Sequence, residues 1–137
     1  IEERLKSLGF ELIEDKKSLT IEKIKILIVE LIYHKNNELN INLSAYISQN
    51  LYADYTSLSH LFSETEGITI EKYFILQKIE RAKELLTYDE MSLSEISFLL
   101  NYSSVGYLSN QFKKITGVTP SDFKKEINKN RKQIDDL

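Results

Sequence analysis

Two stretches of this chain repeat one another 50 residues apart. Phe62, Gly67, Thr69 and Tyr73 stand at the same relative spacings as Phe112, Gly117, Thr119 and Phe123, and a Leu-Ser pair precedes each set, Leu58-Ser59 and Leu108-Ser109. Upstream the match continues at an offset of 49, Ile47-Ser48 against Ile96-Ser97 and Leu51 against Leu100, so the turns inside the two copies differ by one residue. Self-similarity at a fixed interval means one supersecondary unit used twice.

Each copy reads as a short helix, a turn, a second helix, a glycine stop and a third helix. In the first, helices are expected over about 43–51 and 55–66, with a turn at Tyr52-Ala53-Asp54. Gly67 suits the left-handed position after a helix, and Ile68 folds an apolar contact back onto it. Thr69 caps a linker helix over about 69–88, with Glu71 in its first turn. At ~1.5 Å per residue, roughly 18 residues give a strut of about 27 Å, long enough to hold two units about one DNA turn apart. In the second copy, Ser92 or Ser94 caps a helix ending near Leu100, Asn101-Tyr102-Ser103 turns, and a helix from Ser104 to Thr116 ends at Gly117. Thr119-Pro120-Ser121-Asp122 opens a last helix with a cap and a proline at its first position. The helix-turn-helix units thus span about 41–67 and 92–117 and the last helix about 119–128, leaving a polar, frayed tail over 129–137.

The N-terminal 17 residues look different. Ile1, Leu5 and Leu8 have helical spacing, Gly9 reads as a helix stop, and Phe10, Leu12 and Ile13 read as a short strand. This helix-strand stub cannot bury its own apolar face, so it is expected to belong to the sheet of an upstream domain or else to pack on the helical body, with Asp15-Lys16-Lys17-Ser18 as a linker. From Thr20 to about His34 a helix is expected, capped by Ser18 or Thr20, with Ile21, Ile24, Ile28, Leu31 and Ile32 as its core stripe. Ile26, Leu27 and Val29 widen that stripe; deep burial explains them, or else a surface for a second subunit or an upstream domain. Asn36-Asn37-Glu38 marks a turn.

Composition excludes several classes. The chain has 137 residues, 42% apolar and 28% charged, and no cysteine, so it is globular, free of thiolate chemistry and consistent with the cytoplasm. No apolar run approaches the ~18 residues of a membrane span. His34 and His60 lie on different helices without ligands at metal spacing, there is no glycine-rich phosphate loop, and no Ser-His-acid arrangement can be drawn. No enzyme, metal site or cofactor is expected. Net charge is −3, from 18 Lys plus Arg against 21 Asp plus Glu, which weighs against a phosphate-binding protein. The distribution offsets this. Lys113, Lys114, Lys124, Lys125, Lys129, Arg131 and Lys132 gather against only Asp122 and Glu126, whereas the first unit's second helix carries Glu64 and Glu66 and no Lys or Arg.

Several independent requirements of a helix-turn-helix agree. Close helix crossing needs a small residue early, and Ser48 and Ser97 supply it. An apolar residue must lock the second helix after the turn, as Leu58 with Phe62 and Leu108 with Phe112 do. The outward positions are short and polar: Thr56, Ser57, Ser59, His60 and Ser63 in one, Ser104, Ser109, Asn110, Lys113 and Lys114 in the other. Such surfaces suit a groove, and they equally suit plain solvent exposure.

The run from Leu93 to Lys124, with its Phe112-x4-Gly117-Val-Thr-Pro-x2-Phe123-Lys pattern, resembles the signature of AraC/XylS-type transcription regulators. Leu58-Ser-His-Leu-Phe62, Gly67, Tyr73 and Arg81-Ala-Lys-Glu-Leu-Leu86 resemble that family's first unit and linker helix. The resemblance covers about 41–125. It implies an all-α, seven-helix body in which each second helix enters the major groove of double-stranded DNA, so that residues 18–128 form a DNA-binding domain. It also implies contact with RNA polymerase in an activator, a separate sensing or dimerising domain, and action at the bacterial nucleoid.

Carried over by position, base-facing residues are Thr56, Ser59 and His60, with Ser57 beside them, and Val105, Gly106, Tyr107, Ser109 and Asn110, with Ser104 at their start. Lys113 and Lys114 would take phosphates. His60 and Asn110 stand where many relatives have arginine, which loses a bidentate guanine contact; Asn110 can pair with adenine instead. A turn glycine is replaced by Asn101, which tolerates left-handed geometry. The second unit is therefore expected to dominate affinity. Residues 1–15 also resemble the last helix and strand of a ferredoxin-like heavy-metal-associated domain. The competing reading is a helix-turn-helix-derived protein-interaction module that binds no DNA and uses Ile26, Leu27 and Val29 or its acidic face.

Overall fold

The repeat produces one local structure twice. In the computed structural model, residues 2–35, 41–88 and 90–135 are described, and among them all regular structure is helical: α1 (Glu2–Tyr33), α2 (Leu43–Leu51), α3 (Tyr55–Glu66), α4 (Ile70–Tyr88), α5 (Leu93–Leu99), α6 (Val105–Thr116) and α7 (Pro120–Asp135). The expected turn at Asn36-Asn37-Glu38 lies outside the described residues. The chain divides into two compact units, Ile1–Glu30 with Leu39–Tyr73 and Leu31–Glu38 with Phe74–Leu137, so α1 and α4 each contribute to both.

In the first unit, Asn42 caps α2 by accepting from Ala45 N at 2.8 Å, and Asp54 caps α3 by accepting from Ser57 N at 3.2 Å. Each cap supplies an acceptor to an amide that the helix itself cannot satisfy. Gly67 ends α3 at φ 77°, where a Cβ would be strained, and its N–H donates to Ser63 O at 3.0 Å. Thr69 then accepts from Lys72 N at 3.0 Å to open α4. Ile21, Ile24 and Ile28 of α1, Ile47 of α2, Leu58 and Phe62 of α3 and Ile70 of α4 are buried. Phe62 meets Tyr73 edge to face at 5.6 Å, and Lys25 of α1 pairs with Glu66 of α3 at 3.0 Å.

The second unit repeats these devices. Ser92 and Glu95 form a reciprocal capping box on α5, and Ser104 caps α6 by accepting from Tyr107 N at 3.0 Å. Gly117 ends α6 at φ 90°, and Thr119 accepts from Asp122 N at 3.1 Å to open α7. Phe112 meets Phe123 edge to face at 5.5 Å, the counterpart of Phe62 and Tyr73. Leu31, Ile32, Ile79, Ala82, Leu86, Ile96, Leu100, Leu108 and Phe112 are buried. Tyr33 Oη donates to one oxygen of Glu84 at 2.9 Å while Arg81 donates to the other at 3.2 Å, which ties the end of α1 to α4. Burial and the Glu84 carboxylate push the Tyr33 phenol up to about 12.

Three expectations are corrected. The N-terminal helix-strand stub is not formed: α1 runs unbroken through Gly9, Leu12, Ile13 and the supposed linker at 15–18. An interior glycine costs only about 1 kcal/mol relative to alanine, which a 32-residue helix absorbs. With no strand, the resemblance to a heavy-metal-associated domain loses its structural basis. Thr20 is not a cap either; it lies inside α1, and its hydroxyl donates to Lys16 O at 3.0 Å. Finally, α7 continues to Asp135 through most of the stretch expected to fray, where no glycine or further proline interrupts it.

Candidate nucleic-acid interface

The second helix of each unit shows its apolar side inward and a polar side outward. On α3, Leu58 and Phe62 are buried while Thr56, Ser57 and His60 are exposed and Ser59 and Ser63 half-buried. On α6, Leu108 and Phe112 are buried while Gly106, Tyr107, Asn110, Lys113 and Lys114 are exposed and Val105 and Ser109 half-buried. Exposed residues at i, i+1, i+4, i+7 and i+8 lie along one side of a helix, so the α6 set forms a continuous stripe. Every residue expected at an interface is therefore presented on one of these two helices or at its start.

Two of them also hold the backbone. The Ser104 side chain is the N-cap of α6, and the Ser57 hydroxyl donates to Asp54 Oδ2 at 3.3 Å beside the cap of α3. A groove contact from either residue would compete with its role in starting the helix.

The electrostatics of the two helices differ. His60 Nε2 lies 2.9 Å from Glu64 Oε1 on exposed α3, so the most basic group of that face already has an acidic neighbour. Tyr55, Thr56, Ser59, His60 and Ser63 line a depression of about 340 Å³. The Tyr55 phenol hydrogen bonds to Glu71 Oε1, and burial followed by that carboxylate raises its pKa. On α6, Lys113 and Lys114 are exposed in the last turn, where cations also favour the helix dipole. Among the described residues no cluster of histidines and acids is arranged to hold a metal.

The turns show how far the copies diverge. Tyr52 and Asn101 occupy equivalent left-handed positions, φ 52° and 62°. Asn101 suits this geometry, as expected of a glycine replacement; Tyr52 does not, and its side chain is 95% exposed. The extra residue falls in the second turn as Ser103. Ser48 Oγ donates to Ala53 O at 2.6 Å in the first unit, whereas buried Ser97 Oγ finds no partner in the second.

Sequence reasoning missed a support beneath α6. Tyr102, buried in the second turn, hydrogen bonds through its phenol to Gln111 Oε1, and its ring lies 5.8 Å from that of Tyr107. Lys78 of α4 sits beneath, its Nζ 4.0 Å from the Tyr102 centroid and 5.2 Å from that of Phe74. Burial pushes the Lys78 ammonium down to about 8. One signal was available: Lys78 stands four residues from both Phe74 and Ala82, on the side of α4 that packs inward.

Two such units on one chain define a tandem helix-turn-helix protein. Residues 47–126 match the family model of a helix-turn-helix domain, and the chain belongs to that family, of the AraC/XylS type. It is 27% identical over 106 residues to YdiP, an uncharacterised HTH-type transcriptional regulator of Escherichia coli, covering 77% of this chain and 35% of that protein. It is 32% identical over 80 residues to the arabinose operon regulatory protein of Salmonella typhimurium, covering 58% of this chain and 28% of that protein. The chain thus spans about a third or less of the curated relatives it matches. The fold matches the DNA-binding domain of the global transcriptional factor AdpA, solved with a target DNA, at a TM-score of 0.63 and 17% identity over 78% of this chain and 97% of that domain.

Proposed function

We propose that the chain is a sequence-specific, double-stranded-DNA-binding part of a transcription regulator, with α3 and α6 entering successive major-groove segments. The observation that carries this reading is the α6 stripe. It combines an amide able to pair with adenine (Asn110), small residues that allow close approach (Gly106, Ser109) and two phosphate-directed lysines (Lys113, Lys114) on one exposed side. The same roles on α3 fall to Thr56, Ser59 and His60, with Ser57 and Ser104 positioning the helix starts and Val105 and Tyr107 giving apolar contact to bases. Membership of a regulator family and the DNA held by the AdpA domain support it.

In this reading residues 18–128 are the DNA-binding body, and the α1 segment before them leads to a sensing domain. The protein acts as an activator through RNA polymerase at the cytoplasmic nucleoid, self-associates or meets the upstream domain through residues 20–34, and has neither catalytic role nor cofactor. Selection of bound sites from a random DNA pool, followed by a salt titration on the selected site, tests it. An enriched motif and affinity that falls steeply with salt are expected. No enrichment and salt-independent binding would instead favour a protein-interaction module.

A further inference from the structure

The amide of Gln111, half-buried on α6, is held in one direction from below. Tyr102 is buried, and burial raises its phenol so that it keeps its proton. A buried hydroxyl hydrogen needs an acceptor, and among the described residues the one it meets is Gln111 Oε1. The Tyr102 ring is itself held by Lys78 Nζ, 4.0 Å from its centroid, and by the Tyr107 ring at 5.8 Å. With its oxygen engaged by Tyr102, Gln111 turns its amide nitrogen, and the two N–H donors on it, the other way. Among the described residues nothing accepts from that nitrogen. The first copy has Ala53 and Leu61 at the matching places and cannot make this bond.

We propose that Gln111 donates to a phosphate oxygen of the DNA and that Tyr102 is the residue that positions it. The inference rests on the DNA-binding reading above. At ~100° per residue, Gln111 lies about 40° from Tyr107, about 60° from Lys114 and about 100° from Asn110. A helix ~10–12 Å across fills a major groove ~12 Å wide, so the middle of its outer side meets base edges and its flank meets the phosphate wall. Asn110 occupies the middle, whereas Gln111 and Lys114 share a flank. A neutral amide displaces no counterion, so this contact adds affinity for every sequence without adding to the salt dependence.

Anisotropy titrations of the whole chain on a duplex enriched from the random pool test this. Gln111→Leu introduces the residue that the first copy carries as Leu61, and should weaken binding roughly tenfold with the salt slope unchanged. Gln111→Glu still accepts from Tyr102 but offers no N–H, and should lose more. Tyr102→Phe keeps the ring and frees the amide to turn, which should weaken binding about threefold. In the Gln111→Leu background the same change should have no further effect, a coupling that a merely structural tyrosine would not show. Helix content by circular dichroism should be unchanged in every variant. Replacing phosphates singly with methylphosphonate should reveal one position that matters to the unaltered chain and not to Gln111→Leu. Undiminished binding by Gln111→Leu, a changed base preference in place of a uniform loss, or equal losses from Tyr102→Phe in both backgrounds overturns the proposal alone. Failure of the unaltered chain to bind any duplex overturns the underlying DNA-binding reading with it.

Discussion

Helices α3 and α6 share one backbone design and carry opposite chemistry. Each begins at a side-chain cap, buries a Leu-x3-Phe pair and ends at a left-handed glycine followed by a threonine cap. Yet α3 presents His60 beside Glu64 and no lysine, while α6 presents Asn110, Lys113 and Lys114. Buried and capping positions are constrained by packing and unsatisfied amides, so duplication preserves them. Outward positions answer only to what they touch, and there the copies have separated. The difference teaches that fold and surface charge are carried by different residues of the same unit.

The largest expected effect tests that separation. Replacing Lys113 and Lys114 with alanine should lower the salt slope of DNA binding by about 1.8, at about 0.9 per phosphate contact, and weaken binding roughly tenfold or more. Alanine at Ser63 should do little by comparison. Conversely, Ser63→Lys with Glu64→Lys should raise both affinity and slope. Anisotropy titrations at several salt concentrations decide it, and equal losses from the two helices would break the asymmetry. Asn110→Ala sharpens the comparison further, with about 1–3 kcal/mol lost at a single base position and tolerance of other bases there.

Next comes Lys78, the one buried lysine among the described residues. Folded, it releases its proton near pH 8 instead of its ordinary 10.5, so between those values the unfolded chain holds more protons and stability rises with pH. Below that window the buried charge is a cost, partly offset by the Tyr102 and Phe74 rings. Lys78→Met should therefore stabilise the second unit at pH 7 by about 1–2 kcal/mol, and its advantage should shrink as pH rises from 8 toward 10.5. Urea melts at pH 7 and 9.5 measure this; an advantage independent of pH would mean that Lys78 is not held near its charge transition.

Smaller effects separate the turns. Ser48→Ala removes the bond to Ala53 O and should destabilise by about 1 kcal/mol, whereas Ser97→Ala removes an unpartnered buried hydroxyl and should be neutral or stabilising. At the shared left-handed position, Tyr52→Asn should stabilise by about 0.5–1 kcal/mol because the exposed ring contributes no packing. Thermal melts of the three single variants check both statements.

Much of this protein was legible in its residues. The repeat, the glycine stops and the threonine caps placed α2, α3, α4 and α6 within a residue or two, because caps and left-handed positions are local chemistry. The apolar stripe of α1 from Ile21 to Ile32 was legible for the same reason. The N-terminus was misread because Gly9 and Thr20 are ambiguous signals: glycine also sits inside long helices, and threonine also bonds back to the fourth carbonyl before it. The outward polar positions of α3 and α6 were legible from spacing and the base-facing candidates came from the family resemblance, but the capping role of Ser104 and the bond from Ser57 to the Asp54 cap depend on hydrogen bonds that neither shows.

The sequence by itself determined the duplicated helix-turn-helix, the order of its helices and the concentration of positive charge on the second copy, since each follows from short-range periodicity, capping and counting. Only the tertiary structure decided that Lys78 lies buried against Tyr102, that Ser48 is bonded while Ser97 is not, and that Leu12, Leu19 and Ile26 of α1 stay outside the core. These outcomes depend on which side of a helix meets a neighbour distant in the chain. Desolvation and pairing act on that meeting, and a linear pattern does not contain it.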